Sequence, residues 1–281
     1  MDVLVTGAYG RCGTALREHL GDDERYEWAW LDRDAPPDGW ADETTIRGDV
    51  ADRSVVSAAV EGRDAVVHLA GYPNPDGTWE QILHSNLVGT YNVLEAACEH
   101  GVGTVVFAST NHVMGLYEAE FAPELYERTH EVLLDDTDPV RPDSLYGVSK
   151  SFGEDLGRYY VEAHDYPMRF YALRIGNVRA RDEDHPYAEA EAGVDEGRFE
   201  AGSAAYERTV AHIAAMWHSR RDFAHQVACC LDDDTVEHGV YTGLSDNANR
   251  WFSLEGARTE LGYRPRDDGA AWDAPPGERE Q

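Results

Sequence analysis

Short apolar runs alternate with longer amphipathic stretches along this chain, and the alternation predicts its architecture. An apolar run of strand length is typical of a strand that is buried on both faces of a parallel sheet. The predicted strands are residues 3–5, 28–31, 64–71, 104–108, 168–174 and 239–243, with a further strand ending at Asp49 and Val50. Helical stretches separate them, at 14–20, 54–60, 79–100, from 146 to about 164, and from 218 to 231. Strands that alternate with helices predict an α/β fold with a doubly wound parallel sheet of the Rossmann type and a small substrate lobe.

One segment departs from this alternation. Residues 181–205 are acidic and poor in apolar side chains, which predicts an expanded loop, either a mobile lid or a solvated or disordered insertion. We therefore expect a main domain formed by 1–176 with 216–245 and a smaller lobe formed by 177–215 with 246–281.

The composition predicts a strongly acidic surface. The chain has 281 residues, of which 42% are apolar, and a net charge of −30 from 54 acidic and 24 basic residues. The acids are spread along the whole chain, and all the basic residues but Lys150 are arginines, so we expect a protein adapted to high salt. Such a surface argues against nucleic-acid and membrane partners. With no membrane-length apolar run and no apolar signal segment, we expect a cytoplasmic protein.

Metal chemistry is not expected. The four cysteines form no CxxC pair, and the twelve histidines show no HExxH spacing. These patterns predict neither a disulfide framework nor a metal site.

Glycines follow the first strand at a regular spacing. Gly7, Gly10 and Gly13 lie between an apolar run and a predicted helix. Glycines at these positions permit a tight turn, close backbone approach to a pyrophosphate and close packing of helix on strand. The helix N-terminus adds free N–H groups for phosphate oxygens. The motif predicts a dinucleotide site, with a bare tight turn as the alternative. The domain formed by 1–176 with 216–245 is therefore the expected dinucleotide-binding domain, and the smaller lobe is the expected substrate lobe.

An acid at the end of the second strand indicates which dinucleotide. Asp32 lies 25 residues after Gly7, where a carboxylate binds the ribose hydroxyls of NAD and repels the extra phosphate of NADP. Arg33 follows and could soften that preference, and a merely solvated acid is the alternative interpretation. Other residues expected to contact NAD are Tyr9, Arg11, Asp49, Val50, Leu69, Ala70, Gly71, Asn86 and Lys150.

The only lysine of the chain forms part of the candidate chemistry. Lys150 lies four residues after Tyr146, so on a helix the two side chains share one face. A neighbouring ammonium is expected to lower the pKa of the phenol toward neutrality, which would make Tyr146 a general base. The alternative is a surface lysine on an amphipathic helix.

These motifs together carry a resemblance to a family. The chain resembles the extended short-chain dehydrogenases/reductases over nearly its whole length. Within them, 109–112, 141–150, 174–176 and Met216-Trp217 resemble uronate dehydrogenases and, more closely, the NAD-dependent glucose-6-phosphate dehydrogenases of haloarchaea. The resemblance implies that Tyr146 is the base, that Lys150 lowers its pKa and holds the ribose, and that Thr110 hydrogen-bonds the reacting oxygen. Most of the close relatives carry serine in place of Thr110.

The substrate is inferred from the same resemblance. It implies oxidation of an anionic aldose to its lactone, with glucose-6-phosphate first and a hexuronate second. Asn111, His112 and Asn177 are expected to fix the sugar, and Arg208 to bind its anionic group with its guanidinium fork. The alternative for Arg208 is a structural surface salt bridge. We also expect a homodimer or higher homo-oligomer.

Three other functions remain open. They are a neutral aldose dehydrogenase, a nucleotide-sugar epimerase or dehydratase, and an NAD-binding protein without chemistry. Dehydratases of this family have an acid pair beside the catalytic hydroxyl residue, where this chain has Asn111 and His112. Non-catalytic members usually lack the Tyr146/Lys150 pair.

The acid at position 32 gives the first testable prediction. Asp32→Ala should narrow the preference for NAD over NADP, because it removes the carboxylate that repels the extra phosphate. The ratio of kcat/KM with the two cofactors measures this. A wild type that works better with NADP would show that Arg33 sets the choice.

Overall fold

Seven parallel strands form one sheet in the computed structural model, which describes residues 1–40, 43–126, 129–163 and 168–276. Within these ranges the strands are β1 Asp2–Thr6, β2 Glu27–Asp32, β3 Thr44–Arg47, β4 Ala65–His68, β5 Thr104–Thr110, β6 Arg169–Ile175 and β7 His238–Gly243. Their order across the sheet is β3-β2-β1-β4-β5-β6-β7, and every neighbouring pair runs parallel. The predicted doubly wound parallel sheet is confirmed.

Both faces of the sheet are covered, which is why its strands are apolar throughout. Along β1, Val3 and Val5 belong to one hydrophobic layer and Leu4 to the other, because successive side chains point to opposite faces. The helices are α1 Arg11–Leu20, α2 Arg53–Val60, α3 Trp79–Ile82, α4 Gly89–His100, α5 Gly115–Phe121, α6 Leu145–Ala163, α7 Ala188–Asp195, α8 Ala204–Met216, α9 Arg220–Asp232 and α10 Glu255–Glu260. Helices α1 and α9 pack together on one face, and α2, α4 and α6 pack on the other.

The predicted helix at 79–100 is not uniform. It begins with a capping box in which Thr78 and Gln81 bond each other's backbone N–H groups, and it continues through α3 and α4. Between them, Leu83–Val88 forms a π-helical segment. Such wider turns occur mostly as single insertions in α-helices and often at functional sites. This one carries Asn86, which is buried.

The prediction of a loop at 181–205 is wrong. The structure has a 3-10 turn at Arg181–Glu183, helix α7, and the start of α8, which is capped by the Ser203 hydroxyl. Helix α7 packs on α8 and buries only small residues, Ala188, Ala190 and Gly193. The low apolar content suggested a loop, but alanine is a strong helix former and lets two helices approach closely.

The division into a Rossmann domain and a substrate lobe stays a prediction. Residues 277–281 of the lobe lie outside the described part of the chain, as does His164, where the helix that starts near 146 was expected to end. Helix α6 is described to Ala163. In the described ranges, no helix has the length and hydropathy that a membrane span requires. Nor do any three His, Cys, Asp or Glu side chains in those ranges form a group that could hold a metal ion.

A buried ion pair joins the strand β6 to the helix α6. Arg174 donates two hydrogen bonds to Glu154, of 3.0 and 2.9 Å, and both side chains are 7% exposed. The Ser109 hydroxyl, on the neighbouring strand β5, donates to the same carboxylate at 2.5 Å. Each partner would leave an uncompensated buried charge without the other, so the pair fixes α6 against the sheet.

Removing one partner of this pair should be costly. Arg174→Leu is expected to lower the free energy of unfolding by about 3–5 kcal/mol, because Glu154 then keeps a buried charge without its partner. Denaturant unfolding measures the loss. The control is Arg141→Leu, which breaks the exposed pair with Glu120 and should cost no more than about 1 kcal/mol. Equal losses in the two variants would contradict the interpretation.

Candidate functional site

A cavity of about 630 Å³ lies beyond the carboxyl ends of β1, β2, β4, β5 and β6. Parallel α/β sheets bind ligands at this edge, because the loops that follow the strands meet there. The glycine turn after β1 lines one part of the cavity, and Thr110 and Tyr146 line another. The topology therefore brings the two predicted halves of the site, for dinucleotide and for chemistry, into one space.

The glycine turn is shaped by close backbone contacts. Gly7 has a φ of +72°, and a Cβ atom there would lie 2.7 Å from the Ala70 backbone nitrogen. A Cβ atom on Gly13 would lie 2.2 Å from the carbonyl oxygen of Ala8. Gly13 therefore serves the close packing of α1 on the turn, while Gly7 and Gly10 line the cavity itself.

Asp32 lies at the end of β2, on the rim of the cavity. Its Oδ2 accepts a hydrogen bond from the Tyr9 backbone N–H at 2.9 Å, and its Oδ1 accepts one from Asp34 at 3.2 Å. The carboxylate is thereby fixed in place, and lone pairs on both oxygens remain for hydroxyl donors. These residues fit the ribose end of a dinucleotide.

Most of the residues predicted for the cofactor line this cavity. They are Gly7, Tyr9, Gly10, Arg11, Asp32, Asp49, Val50, Leu69, Ala70, Gly71 and Lys150. The residues predicted for catalysis and for the sugar that also line it are Tyr146, Thr110, Asn111, His112 and Asn177. Three of the predicted residues do not line the cavity: Gly13, Asn86 and Arg208.

Asn86 supports the site from behind the cavity wall. Its Oδ1 accepts from the Tyr72 backbone N–H at 2.7 Å, and its amide donates to the Ser149 hydroxyl at 2.9 Å. Ser149 in turn donates to the Tyr146 carbonyl at 2.7 Å. Asn86 thus bridges the loop after β4 and the helix α6, and the cofactor contact expected of it stays a prediction.

The Tyr146/Lys150 pair is buried on one face of α6. Lys150 is 3% exposed and Tyr146 is 9% exposed. The Lys150 ammonium lies 5.9 Å from the centre of the Tyr146 ring and 4.8 Å from that of Phe107. The predicted one-turn geometry is confirmed, and the surface-lysine alternative is excluded.

The prediction that the pKa of Tyr146 is lowered is wrong. Burial raises the pKa of Tyr146 to about 12, and the hydrogen bond with Thr110 lowers it only in part. Burial also lowers the pKa of Lys150 to about 8. Desolvation disfavours both charged forms, and it is the largest cause of both shifts.

His112, beside Tyr146, is held in place by Asp143, which lies just before the start of α6. His112 Nδ1 lies 2.8 Å from Asp143 Oδ2, and the His112 and Tyr146 rings meet edge to face at 5.8 Å. Asp143 is fixed in turn by the hydroxyl of Ser144, which also accepts from the Gly147 backbone N–H. The His112 ring is therefore oriented toward the cavity by the same residues that start α6.

Arg208 lies in a neighbouring pocket rather than in the cavity. That pocket, of about 460 Å³, is lined by Ala122, Pro123, Tyr126, Ala205, Arg208, Thr209 and His212. His212 lines both spaces, so it marks their border. The exposed Arg208 stands one helical turn before it on α8, and no ion pair to it is found within the described ranges. A surface salt bridge at Arg208 is thus not seen there.

The other cations of this region are occupied. Arg174 pairs with Glu154, Arg220 with Glu18 at 2.8 Å, and Arg221 with Asp267 at 2.6 Å. In the described chain, the arginines that line the cavity are Arg11 and Arg33, both at its cofactor end.

The structure adds lining residues that the sequence analysis did not place there. They are chiefly Cys12, Glu118 and His212. Cys12 stands inside the glycine turn, and burial raises the pKa of its thiol to about 12, so it stays protonated. His212 could be noticed from its place five residues before Trp217, but Glu118 gave no signal in the sequence.

This arrangement can perform one kind of chemistry well. A phenol, an ammonium and a hydroxyl surround one end of the cavity, and the glycine turn and Asp32 occupy the other. The first group can exchange a proton with a bound hydroxyl, and the second can hold a dinucleotide.

Comparison with known proteins agrees with this reading. Residues 3–225 match the model of the NAD dependent epimerase/dehydratase family. The chain is 39% identical to the NAD-dependent glucose-6-phosphate dehydrogenase of Haloferax volcanii, over 95% of this chain and 94% of that protein. It is 35% identical to the L-arabinose 1-dehydrogenase (NAD(P)(+)) of the same organism, over 95% of this chain and 97% of the relative. Among solved structures, a mutant uronate dehydrogenase from Agrobacterium tumefaciens complexed with NAD matches with a TM-score of 0.74 and 30% identity, covering 96% of this chain and 86% of that one.

Proposed function

Since this chain belongs to the NAD dependent epimerase/dehydratase family, we propose that it is an NAD-dependent sugar dehydrogenase that oxidises the anomeric carbon of an aldose to its lactone. The observation that carries the proposal is the convergence of Tyr146, Lys150 and Thr110 at one end of a cavity whose other end presents the glycine turn and Asp32. The names of the most similar relatives, all sugar dehydrogenases, support the same reaction.

The residues divide the reaction between them. NAD, when bound, supplies a cationic ring that accepts the hydride from the sugar carbon. Tyr146 Oη takes the proton of the C1 hydroxyl, and the Thr110 hydroxyl holds the reacting oxygen. The buried Lys150 ammonium favours the phenolate form of Tyr146, which is the form that can accept this proton and becomes a neutral phenol when it does. A cyclic sugar loses one hydride and one proton in this way and becomes a lactone without ring opening.

For the substrate we propose glucose-6-phosphate first. With C1 at Tyr146, the phosphate of this sugar lies at the far end of the molecule and can pass His212 into the pocket that holds Arg208. A guanidinium binds phosphate with two parallel hydrogen bonds, and Arg208 makes no ion pair in the described chain that would compete. The name of the Haloferax volcanii relative supports this choice.

A neutral aldose is the second candidate, and one observation favours it. Within the described ranges, the lining of the cavity outside its cofactor end includes the carboxylate of Glu118 and no arginine. An anionic group bound beside it would need a cation, whereas a neutral sugar needs only hydrogen-bond partners. The name of the arabinose-oxidising relative supports this alternative.

The assembly and location expected from the sequence are proposals as well. We infer a homodimer or higher homo-oligomer in the cytoplasm. Exposed apolar side chains on α6 support the oligomer, since Leu145, Val148, Phe152 and Tyr159 are spaced to lie along one narrow stripe of the helix.

The proposed base can be tested directly. Tyr146→Phe should lower kcat by at least about a hundredfold, the scale of a positioned acid-base group, while NAD binding persists because the ring and Lys150 remain. NADH absorbance and NAD titration measure the two quantities. The control is Tyr159→Phe on the same helix, which removes the hydroxyl of a tyrosine that is 55% exposed. Near-normal turnover of Tyr146→Phe would remove this residue from the mechanism.

The phosphate anchor is tested by substrate comparison. Arg208→Ala should weaken binding of glucose-6-phosphate by about 1.5–3 kcal/mol, because a hydrogen-bonded cation is lost, with little change for glucose. KM for each sugar in molar salt gives the comparison. The matched control is Arg181→Ala, an arginine that is 81% exposed and pairs with Glu18. Equal activity of the wild type on glucose and glucose-6-phosphate would favour the neutral aldose instead.

A further inference from the structure

A carboxylate lines the part of the cavity that the sugar would fill. Glu118 lies on α5, and its side chain is 23% exposed and faces the cavity beside His212. Since Tyr146 and Thr110 do not line the pocket beyond His212, the Glu118/His212 pair stands at the end of the cavity that leads away from the reacting carbon.

The position of this carboxylate is fixed by a phenol. The Tyr126 hydroxyl donates to Glu118 Oε1 at 2.6 Å. Burial, together with the Glu118 charge, raises the pKa of Tyr126, so the phenol keeps its proton and remains the donor. One oxygen of Glu118 is thereby occupied and the side chain is held in place.

The charge of Glu118 is not cancelled by its neighbours. His212 Nε2 lies 3.3 Å from Oε1, but burial lowers the pKa of His212, so the imidazole is neutral near pH 7. The buried Arg179, whose charge acts on His212, pairs with Glu189 at 3.0 Å. In the described part of the chain, Glu118 Oε2 accepts no hydrogen bond. The cavity therefore contains a fixed anionic acceptor with free lone pairs.

We propose that Glu118 is the residue that sets specificity at the far end of the sugar, by accepting hydrogen bonds from hydroxyl groups and excluding aldoses that carry a carboxylate on the ring. This inference rests on the proposed oxidation of an aldose. A ring hydroxyl is a donor and matches Glu118 Oε2, whereas the carboxylate of a hexuronate has no donor and repels it. Two like charges within about 4 Å in such a site separate the substrates by at least about tenfold.

A sugar phosphate is not repelled by Glu118 in this way. Its charge is separated from the ring by C6 and the ester oxygen, so it can lie beyond His212 on the side of Arg208. Glu118 therefore allows neutral aldoses and glucose-6-phosphate to bind and excludes hexuronates.

The first test uses the wild type and two sugars of the same shape. D-glucuronate and its neutral amide, D-glucuronamide, are compared as substrates with NAD by kcat/KM. If neither is turned over, they are compared as inhibitors of the best aldose. The amide should be favoured at least about tenfold, and this arm needs no variant to fold. Equal values, or no effect of either sugar, would overturn the role of Glu118.

The second test changes the protein. Glu118→Gln keeps an acceptor for Tyr126 and removes the charge, so the preference for the amide should fall to about one. The matched control is Glu120→Gln, an exposed acid on the same helix that pairs with Arg141 and should leave the preference unchanged. If Glu118→Gln keeps the full preference of the wild type, Glu118 does not set this specificity.

The two failures are distinguishable. If the wild type reduces NAD with none of the aldoses, sugar phosphates or uronates, the proposed function is wrong, and this inference is wrong as well. If it oxidises an aldose but treats acid and amide alike, only the inference falls.

Discussion

The burial of one ammonium group is the constraint on which the site depends. Lys150 lies almost wholly inside the protein, over the face of Phe107, and no carboxylate pairs with it among the described residues. The nearest acid along α6, Glu154, is one turn further on and is held by Arg174. That pairing keeps the ammonium available to the phenol one turn earlier. Arg174, Glu154 and Ser109 thus belong to the architecture of the site although none of them is required for the proton transfer itself.

Local spacing made much of this predictable. A glycine turn between strand and helix, an acid at the end of the next strand, and a tyrosine four residues before a lysine are patterns within single elements, so the sequence indicates them directly. The parallel, doubly wound sheet follows from alternating strands and helices. The family suggested by these motifs is confirmed by the match to its model.

The errors share a physical origin, since each concerns what surrounds a residue rather than its spacing. Burial decides the pKa of Tyr146, and no spacing reveals burial. Glu118 reaches the cavity only because α5 and α8 meet there, and that meeting depends on tertiary packing. The same holds for α7, whose alanines looked like loop residues until their packing partner was known.

The scarcity of lysine has a consequence for covalent chemistry on this protein. Primary amines are the targets of acylating reagents and of enzymes that modify lysine, and this chain offers them at two places, the N-terminus and Lys150. The first is exposed and donates to the Arg25 carbonyl, and the second is buried beside Tyr146. An arginine surface resists acylation, because the guanidinium stays protonated. The one lysine side chain that such reagents can attack therefore lines the cavity, with its pKa lowered to about 8, so labelling at Lys150, as distinct from the N-terminus, reports on access to the cavity.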